Sequence, residues 1–211
     1  WKLDPDPVVG HGYKKETFTQ LAEEGVVAMV CDSTNVFEPT PAGSEAEVFE
    51  GLEGVFKEHT AERLVFACFA SNLARVHTIA ALAHKYKRKC VLVGRSLDKM
   101  TDAAQKCGYL LDLPAFVELE NARKIPRDQI VYITTGSQGE GRAALSRIAH
   151  GKHPNVILEP GDYIVFSSRR IPGNEKKIND LQNLLIGDGF NIIFPNRIQP
   201  YGKLHVSGHP S

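Results

Sequence analysis

The stretch RLVFACFASNLARVHTIAALAHKYKRKCVLVGRS, residues 63–96, contains the pattern that decides the fold. Residues 63–69 and 89–94 are short runs that are apolar almost throughout, and between them apolar residues recur at helical spacing up to about Tyr86. Strands that are apolar on both faces are typical of a parallel sheet that helices cover on both sides. Residues 63–96 therefore predict a strand, a helix and a second, parallel strand.

The same alternation of apolar runs and helical patterns continues in both directions along the chain. Further buried strands are predicted at residues 26–31, 130–136, 163–168 and 191–195, with Leu204–Val206 as a candidate for a short additional strand. Helices are predicted over residues 44–60, 97–108, 143–149 and 174–186. We therefore expect an α/β fold, a doubly wound and mostly parallel sheet with helices on both faces.

Composition divides the chain into three segments. Residues 1–25 open with closely spaced prolines and glycines and are interpreted as a linker, whereas residues 26–195 are expected to form the sheet domain. Residues 196–211 resemble a loop and are interpreted as a return segment toward another part of the protein. Because the chain opens on Trp1 without Met and stops just after a motif, we expect it to be a piece of a longer protein.

The overall charge and the apolar pattern exclude several classes of protein. Lys and Arg number 25 and Asp and Glu number 25, so bulk positive charge does not bind this chain to nucleic acid, although a local phosphate pocket remains compatible. No apolar run reaches about 18 residues, which predicts no transmembrane helix. No signal peptide is recognisable, and the four cysteines form no C-x-x-C pair. These features favour a cytoplasmic protein with free thiols.

Polar motifs follow five of the predicted strands. They are DSTN, FASN, VGRS, TTGSQGE and SSRRIPGNE, with six arginines in or near these loops: Arg75, Arg95, Arg142, Arg147, Arg169 and Arg170. In an open parallel sheet ligands bind beyond the carboxyl ends of the strands. Glycine-rich turns before a helix can present backbone N–H groups to an anion, and guanidinium groups bind phosphate. Each motif alone is also explained by turn formation or helix capping, but together they predict one phosphate-binding crevice.

The C-terminal sequence HVSGHPS, residues 205–211, contains two histidines four residues apart. His205 and His209 could be metal ligands, a general acid or donors to phosphate. A zinc site needs three or four ligands, and the chain contains neither H-x-H-x-D-H nor H-E-x-x-H. The sequence therefore predicts no complete metal centre in this chain.

The order of these motifs along the chain resembles the β-CASP domain of ribonuclease J, an RNA-degrading enzyme of the metallo-β-lactamase superfamily. The resemblance covers nearly the whole chain, and TTGSQGE followed by IPGNE and HVSGH is its most specific part. It implies a domain inserted into a metallo-β-lactamase domain whose H-x-H-x-D-H motif and further ligands hold two metal ions. These would be zinc ions, with manganese as an alternative, and no metal ligand is expected in this fragment.

The resemblance also implies roles for individual residues. Asp32 of DSTN and His209 of SGH match the motif A and motif B residues of the family, which lie beside the metals and support catalysis. The residues that match positions along the RNA and its phosphates are Ser71, Asn72, Arg95, Ser96, Gly136, Ser137, Gln138, Gly139, Glu140, His205, Ser207, Gly208 and Ser211. Pro210 is a departure, since many members have alanine there, and it removes one backbone donor.

The function that the resemblance implies is a 5′-to-3′ exoribonuclease with endoribonuclease activity in RNA processing and decay. The fragment alone would be inactive, because it lacks the metal ligands. Its expected partners are RNA, the metallo-β-lactamase domain of the same chain and, in the intact enzyme, a homo-oligomer, with no membrane. Two alternatives stay open: a stand-alone nucleotide- or phosphate-binding module of flavodoxin-like topology, and a DNA-directed β-CASP nuclease. GSQGE with IPGNE favours the ribonuclease J branch.

Overall fold

The centre of the molecule is a single mixed sheet. The computed structural model describes residues 4, 6–31, 43–195 and 204–207, with the backbone alone for 194–195 and 204–207. The strands are, in chain order, β1 (Leu64–Ala67), β2 (Lys89–Val93), β3 (Ile130–Thr134), β4 (Tyr163–Phe166), β5 (Asn191–Pro195) and β6 (Leu204–Ser207). Their spatial order is β2-β3-β1-β4-β5-β6. The first five are parallel and β6 is antiparallel to β5, which confirms the predicted fold class.

Apart from α1, the helices alternate with the strands as predicted. They are α1 (Lys15–Glu24), α2 (Glu45–Glu58), α3 (Leu73–Lys85), α4 (Arg95–Lys106), α5 (Ala144–Ala149) and α6 (Glu175–Gly187), with two 3₁₀ turns at Leu119–Lys124 and Arg127–Gln129. The capping box at the start of α2 is formed, because the N–H of Glu47 donates to Ser44 Oγ and the N–H of Ser44 donates to the Glu47 carboxylate. None of these helices in the described part of the chain is long and apolar enough to cross a membrane.

The sheet has a hydrophobic core on each face. Leu64 and Phe66 of β1 point into one core, where α2 and α3 pack and the Phe66 ring stacks on Phe56 at 5.4 Å between centroids. Val65 and Ala67 point into the other core, which α5 and α6 cover. Successive side chains of a strand point to opposite faces of the sheet. A strand with a core on each face therefore needs apolar side chains at every position. This is why β1 is a continuous apolar run.

One predicted strand is wrong, and the segment interpreted as a linker contains a helix. Residues 26–31 form no strand, and Val27, Met29 and Val30 are exposed, Met29 to 76% and Val30 to 92%. Within the segment interpreted as a linker, residues 15–24 form α1, which buries none of its residues. An apolar run indicates burial without naming a partner, and no strand in the described part of the chain pairs with residues 26–31. The sixth strand is instead β6, at the candidate position Leu204–Val206.

A buried ion cluster lies at the amino ends of the strands. Asp162, just before β4, is 0% exposed, and its carboxylate accepts a hydrogen bond from Arg127 Nε at 2.6 Å and from the N–H of Glu159 at 2.8 Å. Arg63 Nη1 lies 3.3 Å from the same carboxylate. Burial raises the pKa of Asp162, and the backbone donor and both guanidinium groups act against that rise. The cluster joins the starts of β1, β3 and β4.

Candidate functional site

A cavity of about 740 Å³ opens at the carboxyl ends of β1, β2 and β3. The loop after β1, the start of α4, the loop after β3 and the start of α5 form its walls. These strands are parallel neighbours in the sheet, so their carboxyl ends lie at one edge. The cavity is therefore where an open parallel sheet places its ligands. We call it the main cavity.

The VGRS motif contributes one wall of the main cavity. Gly94 precedes α4 with φ of +136°, and a Cβ there would lie 2.9 Å from Thr135 Oγ1, so glycine is needed for the close approach of the two loops. Arg95 and Ser96 are the first residues of α4, are exposed and line the cavity. No side chain caps this helix start. Both predicted residues thus face the same cavity as the GSQGE loop.

The GSQGE loop contributes to the main cavity through its ends only. Gly136 and Glu140 line the cavity, whereas Ser137 and Gln138 are 3% and 2% exposed. Ser137 Oγ is buried and has no hydrogen-bond partner among the described residues. Ser137 and Gln138 are not among the residues that line the main cavity, so their side chains do not reach a ligand there.

The Gln138 side chain connects the GSQGE loop to the SSRRIPGNE loop by hydrogen bonds. Its Nε2 donates to Arg169 O at 2.8 Å and to Ser168 Oγ at 3.2 Å, and its Oε1 accepts from the N–H of Ile171 at 2.8 Å. Gly139 continues the contact, since a Cβ there would lie 2.4 Å from Lys177 O in α6. The GSQGE and SSRRIPGNE loops are therefore joined by hydrogen bonds and by close packing.

The FASN motif lies mainly at a second, smaller hollow of about 380 Å³. Ser71 and Asn72 line this side hollow, together with Asp4 and Glu45. Asn72 caps α3, because its Oδ1 accepts a hydrogen bond from the N–H of Arg75 at 3.0 Å, and its amide NH₂ makes no further bond in the described part of the chain. Ser71 is exposed. Phe69 lines both the side hollow and the main cavity, so the two are neighbours.

The guanidinium of Arg75, one of the six candidate arginines, is bonded to other residues of the fold. Its Nε donates to the Glu45 carboxylate at 3.2 Å, and its Nη1 donates to Ser167 Oγ at 2.7 Å and to Ser167 O. Both charged side chains are about nine-tenths buried. Arg75 therefore holds the starts of α2 and α3 against the end of β4 instead of presenting its charge to a ligand.

Other cationic residues complete the main cavity, and the motifs do not include all of them. Lys99, Arg142, Arg147 and His153 line it with Arg95. Lys99 and His153 are absent from the sequence motifs. Lys99 could have been found, because it lies one helical turn after Arg95 and so on the same face. The position of His153, between α5 and β4, gives no such signal.

Burial and the nearby Arg147 guanidinium lower the pKa of His153, in that order of size. The N–H groups of Asn155 and Val156 point at its Nδ1, at 3.4 and 3.1 Å, which places the proton of the neutral ring on Nε2. Cys68 also lines the cavity, but burial raises the pKa of its thiol to about 12. The cavity thus contains hydrogen-bond donors, and Cys68 does not supply it with a reactive thiolate.

The remaining predicted residues lie in β6 or outside the described residues. His205 is opposite Phe194 and Ser207 is opposite Ile192 in the antiparallel pair of β5 and β6. Asp32, Gly208, His209 and Ser211 lie outside the described residues. Across residues 4, 6–31 and 43–193, where side chains are described, no three His, Cys, Asp or Glu residues cluster as metal ligands.

Comparison with known proteins identifies the family. The profile of the ribonuclease J β-CASP domain matches residues 61–185. Over its whole length the chain is 41% identical to the ribonuclease J of Sinorhizobium meliloti, 39% to that of Synechocystis and 34% to that of Thermus thermophilus. It spans 36%, 32% and 36% of these proteins, about a third of each. The chain belongs to the β-CASP domain family of ribonuclease J.

Proposed function

We propose that this chain is the RNA-binding part of a larger metal-dependent ribonuclease, a 5′-to-3′ exoribonuclease with endoribonuclease activity in RNA processing and decay. The observation that carries the proposal is the family match together with a main cavity whose walls present Arg95, Ser96 and the ends of the GSQGE loop. The relatives named ribonuclease J are about three times as long as the chain, which is consistent with a catalytic centre shared with another domain.

RNA binding at this edge of the sheet would rely on its phosphates. A chain with zero net charge attracts RNA only where cations are concentrated, and single-stranded nucleic acid is generally held by a basic groove with aromatic surfaces. Arg95 offers a planar guanidinium that no described residue pairs with, and Ser96 offers a hydroxyl donor and backbone N–H. Gln138 and Gly139 contribute indirectly, by fixing the loop that forms the neighbouring wall.

Catalysis in this proposal belongs to Asp32 and His209 together with metal ions of the intact enzyme. Two zinc ions, or manganese, would supply an activated water and stabilise charge on the phosphoryl oxygens. The described residues of this chain do not fit a zinc site, so we derive no step through the metals from them. We propose that the metal ligands lie in a metallo-β-lactamase domain, and that Asp32 and His209 act at its boundary with this chain.

An exposed apolar surface lies at the N-terminal side of the chain. Val26, Val27, Met29 and Val30 are exposed, and α1 buries none of its residues although Phe18 and Leu21 are apolar. Contiguous exposed apolar residues mark interaction sites more often than free surface. We propose that the metallo-β-lactamase domain of the same protein covers them, and that the intact enzyme is cytoplasmic and free of membrane contact, with a homo-oligomer as a further assembly.

The catalytic assignment is tested in the intact enzyme with Asp32→Ala and His209→Ala. Each should lower the single-turnover rate constant about 10²–10³-fold, the usual cost of one group that stabilises transition-state charge, and change RNA affinity little. The matched control is Arg95→Gln, which should weaken RNA binding and leave the rate constant at saturation nearly unchanged.

Wild-type rate constants in folded Asp32→Ala and His209→Ala proteins would refute the two residue roles. A DNA oligonucleotide of the same sequence, cleaved as fast as the RNA, would favour the DNA-directed alternative. Reproducible cleavage of RNA by the 211-residue chain alone would contradict the proposal that catalysis needs a second domain.

A further inference from the structure

The main cavity contains further cations that make few contacts with the rest of the described residues. Lys99 lies one turn along α4 from Arg95, Arg142 lies just before α5 and Arg147 lies within it. Lys99 and Arg142 make no side-chain hydrogen bond or ion pair in the described part of the chain, and Arg147 makes one long bond of 3.4 Å to Lys152 O. Unpaired cations that converge on one cavity indicate an anionic ligand.

Arginines elsewhere in the described part of the chain are mostly paired, and some of the lysines are. Lys57 and Lys85 both contact Glu53, and Lys106 contacts Asp102. Among the described arginines, only Arg95, Arg142 and Arg169 lack a side-chain hydrogen bond or ion pair, and the first two line the main cavity. Unpaired arginine is therefore concentrated at the main cavity, whereas exposed lysines elsewhere, such as Lys87, Lys89 and Lys176, also lack a side-chain partner among the described residues.

The acidic residues of the cavity do not cancel this charge. Asp98 and Glu140 also line it, against the four cations Arg95, Lys99, Arg142 and Arg147. One Glu140 oxygen is already occupied, because it accepts the N–H of Gln138 at 3.0 Å. The neutral His153 ring adds a donor, Nε2–H, without adding charge. The cavity keeps an excess of positive charge and donors, as a phosphate group requires.

The shape of the site points to a strand and not to a small free molecule. Phe69 lines the main cavity on one side and the side hollow at Ser71 and Asn72 on the other. The two acids of the side hollow are engaged, since Asp4 accepts the N–H of Glu45 and Glu45 accepts from Arg75. An aromatic residue between a basic cavity and a hollow that presents the Ser71 hydroxyl and the Asn72 amide matches the way single strands are held, with bases on aromatic rings and phosphates in basic grooves.

We propose that a single RNA strand crosses from the main cavity over Phe69 to the side hollow, with its phosphate held by Arg142, Arg147 and Lys99 and a base against Phe69. The inference rests on the proposed RNA-binding function and adds a path to it. Arg142, Arg147 and Lys99 are the phosphate contacts of this path, and Phe69 is its sequence-independent stacking surface. Ser71 and the Asn72 amide receive the next phosphate.

The test measures binding of a 3′-fluorescein-labelled 12-nucleotide RNA with a 5′-phosphate to the 211-residue chain by anisotropy, over a series of KCl concentrations. We expect Arg142→Gln/Arg147→Gln to raise Kd about tenfold at low salt and to reduce the slope of log K against log salt by about 0.7 for each phosphate that the variant no longer neutralises. Phe69→Leu should raise Kd several-fold and leave the salt slope unchanged, because stacking involves no charge.

The matched control is Lys106→Gln/Lys124→Gln, which removes two charges outside the cavity and should change Kd less than twofold. Equal urea midpoints for all variants establish that binding, not folding, has changed. If the wild-type chain binds no RNA, the proposed function fails, and this inference with it. If it binds RNA and Arg142→Gln/Arg147→Gln keeps the wild-type Kd and slope, this inference alone fails. Displacement of the RNA by AMP at a concentration near the RNA Kd would assign the cavity to a free nucleotide and overturn the strand path.

Discussion

The two ends of the sheet use arginine in opposite ways. At the amino ends, Arg63 and Arg127 enclose the buried Asp162, and Arg88 donates to the carbonyl oxygens of His59 and Glu62. At the carboxyl ends, the side chains of Arg95 and Arg142 have no partner among the described residues, although both border a cavity. Charge that the fold satisfies internally stabilises the structure, whereas charge that it leaves unsatisfied is available to a ligand.

Arg75 shows that position at the carboxyl ends does not by itself decide the role. It lies beside the FASN loop, yet Glu45 and Ser167 take up its guanidinium. Gln138 does the same for the GSQGE loop with an uncharged side chain. Some polar side chains at the carboxyl ends therefore stabilise the loops instead of facing a ligand. The two ends of the sheet differ in whether each arginine has a partner within the fold.

Removing the carboxylate at the amino ends should have the largest effect on stability. Asp162→Ala leaves Arg127 without its counter-charge and Arg63 with only the exposed Glu159 carboxylate, so it should lower the free energy of unfolding by about 3 kcal/mol, as expected for breaking a buried ion pair. Asp102→Ala, which breaks the exposed pair with Lys106, should cost less than about 1 kcal/mol. Urea denaturation measures both, and equal costs would remove the distinction between the two kinds of charge.

A smaller effect is expected where the carboxyl-end loops touch. Gly139→Ala places a Cβ 2.4 Å from Lys177 O at a φ of +72°, so it should lower stability by about 1–3 kcal/mol. Gly141→Ala is the control, because nothing lies within 4 Å of its Cβ position. Thermal unfolding compares the two. A Gly139→Ala protein as stable as Gly141→Ala would show that the loop and α6 are not held together as described.

The smallest expected effect is a pH dependence of stability, which arises from Glu53 in α2, one of the helices that cover the sheet. Hydrogen bonds from Lys85 and then Lys57 lower the pKa of Glu53 from 4.5 to about 2. A carboxylate whose pKa is lowered by folding stabilises the protein above its ordinary pKa, and this contribution is lost as the pH falls from about 5 toward 2. The stability difference between wild type and Glu53→Gln should therefore shrink over that interval. A difference independent of pH would place the effect in packing instead of charge.

Five of the six strands are predictable because their side chains are largely apolar on both faces of the sheet. The same criterion fails for residues 26–31, whose composition matches that of β1 but which have no neighbouring strand in the described part of the chain. A continuous apolar run shows that a segment favours burial. It does not show which distant part of the chain buries it. α1 was missed for the related reason that it buries nothing here, so no sustained apolar face marks it.

The position of the site was predictable, but the roles of its residues were less so. Parallel strands bring their carboxyl ends together, so Arg95, Ser96, Gly136 and Glu140 could be placed at one edge from motif order alone. The sequence does not show that Arg75 donates a hydrogen bond to Ser167, 92 residues away. Nor does it show that the Gln138 amide is hydrogen-bonded to the loop after β4. Those facts depend on three-dimensional distance.

The exposed run VVAMVC also bears on how this chain behaves at high concentration. It has six residues, is rich in β-branched side chains and contains no charge and no proline. That composition is the usual signature of segments that stack into intermolecular sheets when nothing covers them. We expect the 211-residue chain to self-associate increasingly as it is concentrated, and a lysine in place of Val27 or Val30 to act as a gatekeeper that keeps it in solution.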